Sequence, residues 1–105
     1  MVTEIALLQI VPGTNEPFKQ SFHKAEKFIS SMKGYVEHSL EQCMEVENKF
    51  LLLVKWKTLE DHTIGFRQSE AYKDWKQLLH HFYDPFPVVE HYQKIEFAES
   101  KMLEA

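Results

Sequence analysis

The chain has 105 residues, a formal net charge of -4 and an aromatic content of 13%. A chain of this length is expected to fold as a single domain, residues 1–105, around one core. Its Lys and Arg residues are scattered singly and form no basic stripe, which argues against a nucleic acid partner. The one cysteine excludes an intramolecular disulfide and any multi-cysteine metal site.

The N-terminal residues do not have the pattern of a secretory signal, which is a basic region followed by an apolar core and a small-residue cleavage site. No apolar run approaches the roughly 18 residues that are needed to span a bilayer. We therefore expect a cytoplasmic protein that makes no membrane contact.

The first predicted strand, residues 2–11, is almost continuously apolar, which indicates that both of its faces are buried. Pro12 and Gly13 end this strand, and Thr14 or Asn15 can cap the helix that follows. Apolar residues at helical spacing predict that this helix runs to about residue 32 with one side in the core: Phe18, Phe22, Ala25, Ile29 and Met32.

The middle of the chain predicts two more strands. Gly34 stops the first helix, and residues 35–45 alternate loosely as a strand, with Tyr35 on the face opposite His38. Residues 49–57 are apolar on both faces and predict an interior strand.

The last third predicts two helices and a strand. Residues 59–66 can form a short helix, and Ser69 can cap a longer amphipathic one. Pro85 and Pro87 cannot continue that helix, so the chain turns and enters a final strand, residues 88–97.

This element order predicts an α+β, ferredoxin-like βαββαβ fold, with a four-stranded antiparallel sheet and both helices on one side. The first and third strands are central in this topology, and they are the two whose sequences are apolar on both faces. Because the helices cover only one face of the sheet, we expect a homodimer in which the sheet faces meet and close a dimeric α+β barrel.

Residues 56–92 hold both tryptophans, four of the six histidines and three of the four tyrosines. In this segment a tryptophan ends the third strand and is followed by LEDH, GFRQS, a tryptophan on the next helix and FPVVEHY. With this pattern the chain resembles the antibiotic biosynthesis monooxygenase domain of the dimeric α+β barrel superfamily. The resemblance implies oxidation of a planar phenol, quinol or anthrone-like aromatic by O2, with no flavin or other cofactor and no metal.

Two residues are candidates for catalysis. The resemblance places Trp56 near the pocket as an aromatic wall for a planar substrate, and a packed core ring is the alternative. His62 is the candidate general base, because an unperturbed histidine has a pKa near the operating pH. The alternative for His62 is a helix residue that holds a loop by hydrogen bonds.

Further residues are candidates for substrate binding. Arg67 could pair with an anionic oxygen of the substrate, although a salt bridge to Glu90 or another carboxylate is the commoner use of such an arginine. His91 and Tyr92 point to opposite faces of the last strand, so only one can face the helices. The full set of substrate-binding candidates is Phe66, Arg67, Tyr72, Trp75, Tyr83, Phe86 and His91.

Two other functions compete with oxidation of an aromatic. One is a non-catalytic barrel that binds a small molecule or serves a stress response, and a pocket filled by Phe66, Tyr72 and Trp75 would favour it. The other is heme degradation, in which relatives hold iron through a histidine on the second helix, assisted by an asparagine on the first strand. Here Trp75 and Lys76 stand where that histidine is expected, and residues 2–11 contain no asparagine. Heme degradation is therefore the least favoured function.

Overall fold

The computed structural model describes residues 1–98 and has the predicted ferredoxin-like α+β fold, with a four-stranded antiparallel sheet. The helices pack on one face of this sheet around a shared core. The elements are β1 (Val2–Gln9), α1 (Asn15–Ser30), β2 (Tyr35–Gln42), β3 (Lys49–Trp56), a π-helical segment (Asp61–Phe66), α2 (Glu70–Leu79), a 3₁₀ turn (His80–Phe82) and β4 (Val89–Tyr92).

The strand order is β2-β3-β1-β4, so β1 and β3 are central, as their apolar sequences predicted. Alternate residues of both strands face the helices and are buried, among them Leu8 and Val54. The apolar stripe of α1 packs on them: Phe18, Phe22, Ala25 and Ile29 are all buried. The predicted helical periodicity of α1 is thus confirmed.

The other face of the sheet carries apolar side chains that the helices do not cover. Leu7 is 43% exposed. Ile5, Leu51 and Leu53 are half-buried neighbours of Leu7 on the paired strands. This apolar outer face is the surface for which the sequence predicts a second copy of the chain.

The last strand is shorter than predicted, since β4 ends at Tyr92 and residues 93–97 form no strand. Tyr92 pairs with Thr3, near the first residue of β1. The chain beyond Tyr92 therefore has almost no neighbouring backbone left to pair with. The prediction of a strand to residue 97 was wrong for this reason.

The predicted orientation of Tyr35 was also wrong. A β-bulge between Tyr35 and Glu37 shifts the register of β2 against β3. The extra residue turns Tyr35 toward the helices, where it packs against the core and its hydroxyl is hydrogen-bonded to His38 Nδ1. A strict alternation along the strand cannot foresee such a bulge.

The predicted caps of the two α-helices have different outcomes in the structure. Ser69 caps α2 as predicted, because its hydroxyl accepts a hydrogen bond from the Tyr72 backbone N–H at 3.1 Å. The α1 cap differs from the prediction: the Thr14 hydroxyl donates to the Val11 carbonyl at 2.6 Å and does not cap the helix.

Gly34 has φ +84°, and a Cβ there would overlap the Asp61 side chain. Glycine at this position therefore lets the π-helical segment close against the turn after α1.

Candidate active site

A cavity of about 350 Å³ lies between the sheet and the helical layer. Its size falls in the range that holds a small organic ligand. Strands β1, β3 and β4 provide one wall, and the π-helical segment, α2 and the loop before β4 provide the rest. The lining residues are Glu4, Ala6, Leu8, Leu52, His62, Phe66, Arg67, Tyr72, Trp75, His80, Tyr83, Phe86, Pro87 and Val89.

Glu4 is a carboxylate buried in the sheet wall of this cavity, with 5% of its surface exposed. The Trp56 indole N–H donates a hydrogen bond to Glu4 Oε1 at 2.9 Å. Burial raises the pKa of Glu4 to about 6, against the opposing effects of the Trp56 hydrogen bond and the Arg67 charge. Glu4 therefore changes its protonation state close to neutral pH.

His62 lies beside Glu4, with its Nε2 atom 3.3 Å from Glu4 Oε1. Burial, reinforced by the charges of Arg67 and His91, lowers the pKa of His62 to about 3. The ring is therefore neutral at pH 7, with one nitrogen that donates and one that accepts.

His91 completes the row of polar groups from its place on β4, where it pairs across the strands with Glu4. Its Nε2 atom is hydrogen-bonded to His62 Nδ1 at 2.8 Å. Burial, with a further contribution from Arg67, lowers the pKa of His91. His91 faces the helical side, while Tyr92 is 50% exposed on the other face, as the alternation of the strand predicted.

Trp56 supports the cavity without lining it. Its ring is fully buried and lies nearly parallel to the His62 ring, at a centroid distance of 5.4 Å and an angle of 19°. Its N–H holds Glu4 as described above. The structure thus places Trp56 behind the cavity wall as a buried partner of both Glu4 and His62.

The aromatic part of the wall comes from the π-helical segment, α2 and the following loop. The Phe66 ring packs edge-on against the rings of Tyr72 and Trp75, at centroid distances of 5.1 and 5.7 Å. Burial raises the pKa of the hydroxyls of Tyr72 and Tyr83. Both phenols therefore remain protonated at neutral pH and can donate hydrogen bonds into the cavity.

Arg67 lies at the exposed rim of the cavity. The expected salt bridge to Glu90 is absent, since within residues 1–98 Arg67 forms no ion pair with a carboxylate. Its charge acts on Glu4 and His62 at longer range. The guanidinium is therefore available to a ligand that enters the cavity.

His80 also lines the cavity, and its ring packs edge-on against Phe86 at a centroid distance of 4.8 Å. Burial, followed by the charge of Lys76, lowers the pKa of His80 to about 4. The adjacent His81 is exposed and lies against Phe82 at a tilted angle, outside the cavity wall. The two histidines thus have separate surroundings.

The structure brings together most of the residues that the sequence singled out. His62 and six of the substrate-binding candidates line the cavity: Phe66, Arg67, Tyr72, Trp75, Tyr83 and Phe86. Trp56 and His91 contact His62 from behind the wall. Glu4 was missed, although a single carboxylate inside an otherwise apolar central strand was a usable signal. His80 was left without a role, because its sequence neighbours did not indicate which way it faces.

Residues 1–98 contain neither a cluster of metal ligands nor a helix that could span a membrane. No group of three or more His, Cys, Asp and Glu side chains in this part of the chain is arranged to hold a metal ion. Neither helix there is long and apolar enough to cross a bilayer.

Comparisons with known proteins agree with this fold. The family described as antibiotic biosynthesis monooxygenase matches residues 1–78. The Bacillus subtilis protein YczJ, which is uncharacterized, is 56% identical over 95 residues, covering 90% of this chain and all of YczJ.

Solved structures of other proteins have a similar fold. A protein of Bordetella bronchiseptica assigned to the antibiotic biosynthesis monooxygenases superposes with a TM-score of 0.86 at 27% identity, over 90% of this chain and 97% of its own. SnoaB of Streptomyces nogalater, a cofactor-independent oxygenase, shares the fold with a TM-score of 0.68 at 16% identity, over 92% and 95% of the two chains. The chain belongs to the antibiotic biosynthesis monooxygenase family.

Proposed function

We propose that this protein is a cytoplasmic homodimer that oxidises a planar phenol, quinol or anthrone with O2 and without a cofactor. The observation that carries the proposal is a buried carboxylate and histidine, Glu4 and His62, in the wall of a cavity that is otherwise lined mostly by aromatic and aliphatic side chains. SnoaB, which has the same fold, is a cofactor-independent oxygenase, and this motivates the reaction class.

The cavity has the groups that such a reaction needs. A phenol is a poor electron donor, but its phenolate can pass one electron to O2 unaided, so the protein must first remove a proton. The Glu4 and His62 pair is the base for this step, and Tyr72 and Tyr83 can donate hydrogen bonds to the substrate oxygens. The rings of Phe66 and its neighbours hold the planar substrate and exclude water from the radical pair.

The reaction balances without a cofactor. Loss of the proton leaves an electron pair on the substrate, and transfer of one electron to O2 gives a substrate radical and superoxide. Their combination forms one C–O bond. The peroxide anion takes up one proton, and cleavage of its O–O bond with loss of the hydrogen on the same carbon releases water and leaves one oxygen atom in the quinone product. Arg67 at the rim is placed to attract the anionic form of such a substrate.

Oxygen uptake by the purified protein, with a chelator present, tests the proposal on a panel of anthrones and dihydroquinones. We expect protein-dependent uptake with one atom of labelled oxygen in the product, reduced about 100-fold in His62→Ala. Trp56→Phe, which loses the hydrogen bond to Glu4, is expected to be reduced less. Both variants must keep the circular dichroism and sedimentation of the wild type.

The opposite result would favour the alternative function. Uptake at the buffer rate for every panel member, together with tight binding of the same aromatics, would contradict the proposed oxidation. It would support a non-catalytic barrel that binds a small molecule. In the structure Phe66, Tyr72 and Trp75 line the cavity without filling it, which supports ligand entry under either function.

The homodimer is proposed because of the apolar outer face of the sheet, formed by Ile5, Leu7, Leu51 and Leu53. Burial of a continuous apolar face against its own copy is the simplest way to remove it from water. Sedimentation equilibrium is expected to give a dimer for the wild type and a monomer for Leu7→Lys. Ile64→Lys is the control, since Ile64 is also exposed but lies on the π-helical segment. A monomeric wild type would contradict the dimer.

A further inference from the structure

We propose that Glu4 is the group that takes the proton from the substrate and that His62 and His91 conduct this proton to the surface at β4. The inference rests on the proposed function and deepens it, because it assigns separate roles to the buried pair: Glu4 accepts the proton and His62 passes it on.

One oxygen of the Glu4 carboxylate is hydrogen-bonded, and the other is free to bind a ligand. Oε1 accepts the hydrogen bond from Trp56 and lies 3.3 Å from His62 Nε2. The other oxygen, Oε2, has no hydrogen-bond partner within the described residues. It is also not fully buried. Since Glu4 lines the cavity, Oε2 is the oxygen that a bound phenol can reach.

The two histidines form a row that leads away from the cavity. His62 Nε2 contacts Glu4, and the opposite ring nitrogen, Nδ1, is hydrogen-bonded to His91 Nε2 at 2.8 Å. His91 lies on β4, an edge strand, and is only half-buried. The 3.3 Å contact between His62 and Glu4 is the one step of the row that is not a hydrogen bond in the structure, and the proposal requires it to become one when a substrate is bound. The row then connects the cavity to solvent.

The proton steps balance along this row. The substrate O–H bond breaks and its electron pair stays on the substrate oxygen, while the proton forms an O–H bond on Glu4. This step uses the neutral tautomer of His62 that carries its proton on Nδ1: Glu4 passes a proton to His62 Nε2 as the Nδ1 proton of His62 moves to His91 Nε2. His91 releases a proton from its Nδ1 to water. The net change is one proton moved from the substrate to solvent, and both rings are left as the opposite tautomer until proton exchange with water or a ring flip restores them.

The protonation states fit these roles. The pKa of Glu4, about 6, leaves it ionised and ready to accept at pH 7, and also close enough to neutrality to release the proton again. Burial lowers the pKa of His62 to about 3, which disfavours an imidazolium intermediate and favours concerted transfer at its two nitrogens. A ring that receives on one nitrogen and releases from the other suits this step.

The other titratable groups of the cavity suit the acceptor role less well. The raised pKa of Tyr72 and of Tyr83 makes them hydrogen-bond donors at neutral pH. His80, with a pKa lowered to about 4, is a weaker base than Glu4. Its ring has no hydrogen-bond partner in residues 1–98 that could carry a proton onward, since its neighbours are the aromatic rings of Tyr72, Tyr83 and Phe86.

A photoacid measures proton transfer without any oxidation. 2-Naphthol is a planar phenol that becomes strongly acidic when excited, and its emission changes from the naphthol to the naphtholate band when an acceptor lies within reach. We expect naphtholate emission from 2-naphthol bound to the wild type and loss of that band in Glu4→Gln, which keeps the shape of the side chain. Glu26→Gln, which removes a carboxylate outside the cavity, is expected to keep the band.

The relay is tested with the same probe in His91→Phe. The first transfer to Glu4 is expected to persist, but the proton then returns, which gives a slow naphthol component in the emission decay. Tyr92→Phe, on the opposite face of β4, is the control and is expected to decay like the wild type.

Three outcomes separate the two proposals. Naphtholate emission that is unchanged in Glu4→Gln would overturn Glu4 as the acceptor while leaving an aromatic-binding cavity in place. An unchanged decay in His91→Phe would overturn the relay. Failure of 2-naphthol to bind, judged by quenching of tryptophan fluorescence, would contradict the proposed function and this inference with it.

Discussion

Two regions of this molecule contain the same kinds of side chain in different surroundings. The inner cluster consists of Glu4, Trp56, His62 and His91. The outer cluster consists of His23, Glu26, Tyr35 and His38, in which Glu26 is bonded to His38 at 2.6 Å and to His23 at 2.9 Å. The rings of Tyr35 and Trp56 meet edge-on at 6.2 Å, so the two clusters are neighbours.

The clusters differ in exposure, and the acid in each responds differently. The Glu4 side chain is 7% exposed and the Glu26 side chain 36%. For Glu4 the cost of burial dominates and raises the pKa. For Glu26 burial also raises the pKa, but the hydrogen bonds with His23 and His38 outweigh this effect, and the net result is a lowered pKa.

Residue types alone therefore do not identify a site in this molecule. Glu4 lines a cavity and retains a free carboxylate oxygen, whereas both oxygens of Glu26 are hydrogen-bonded. The outer cluster is accordingly a polar connection between α1 and β2. The inner cluster is placed to react with a ligand.

The largest effect is expected at Gly34, which precedes Tyr35 of the outer cluster and lies against Asp61, the residue before His62 of the inner cluster. Gly34→Ala should lower the free energy of unfolding by about 3 kcal/mol or more, because it adds strain at positive φ and forces Asp61 away. Gly13→Ala is the matched control, since Gly13 also has φ +84° but no atom within 4 Å of its Cβ position. We expect it to cost about 1 kcal/mol from strain alone. Equal losses in urea denaturation would contradict the close contact between Gly34 and Asp61.

Removing the charge of Glu4 and of Glu26 is expected to change the free energy of unfolding in opposite directions. Between pH 4.5 and 6 the folded state binds more protons at Glu4 than the unfolded state, so this group destabilises the fold as the pH rises through that range. Glu4→Gln should therefore stabilise the protein by about 2 kcal/mol above pH 6, and the gain should vanish below pH 4.5. Urea denaturation at equal protein concentrations measures it. A gain that is independent of pH would contradict a buried, titrating Glu4.

The smallest effect is expected in the outer cluster. The pKa of Glu26 is lowered, so its contribution to stability is present above pH 4.5 and is lost as the pH falls through its folded-state value. Glu26→Gln should destabilise the protein at pH 7 by less than about 1 kcal/mol, because the pair is partly exposed. Stabilisation by Glu26→Gln at pH 7 would remove the contrast between the clusters.

Much of the fold could be predicted because its signals are repeated along each element. The helical spacing of Phe18 and Phe22 orients α1, and the apolar character of residues 2–11 places β1 at the centre of the sheet. The length of β4 and the orientation of Tyr35 could not be predicted in the same way. They depend on where β1 begins and on one inserted residue in β2.

The site was predicted less completely than the fold, for a physical reason. His62 and the aromatic residues were identifiable because they are concentrated in one segment of the chain. Glu4 lies 58 positions before His62 in the sequence, and only the pairing of β1 with β3 and β4 brings it to Trp56 and His91. The π-helical turn that directs His62 and Phe66 to one side also depends on its tertiary neighbours.

Oxygen uptake by the matched variants Glu4→Gln and Glu26→Gln distinguishes a reactive inner cluster from a structural one. Each removes one carboxylate that is bonded to histidine or tryptophan, and each is to be measured on the panel member that the wild type oxidises fastest. We expect Glu4→Gln to lose about 100-fold in turnover while it gains stability, and Glu26→Gln to keep wild-type turnover. Equal turnover in Glu4→Gln and the wild type would contradict the assignment of the inner cluster as the active site.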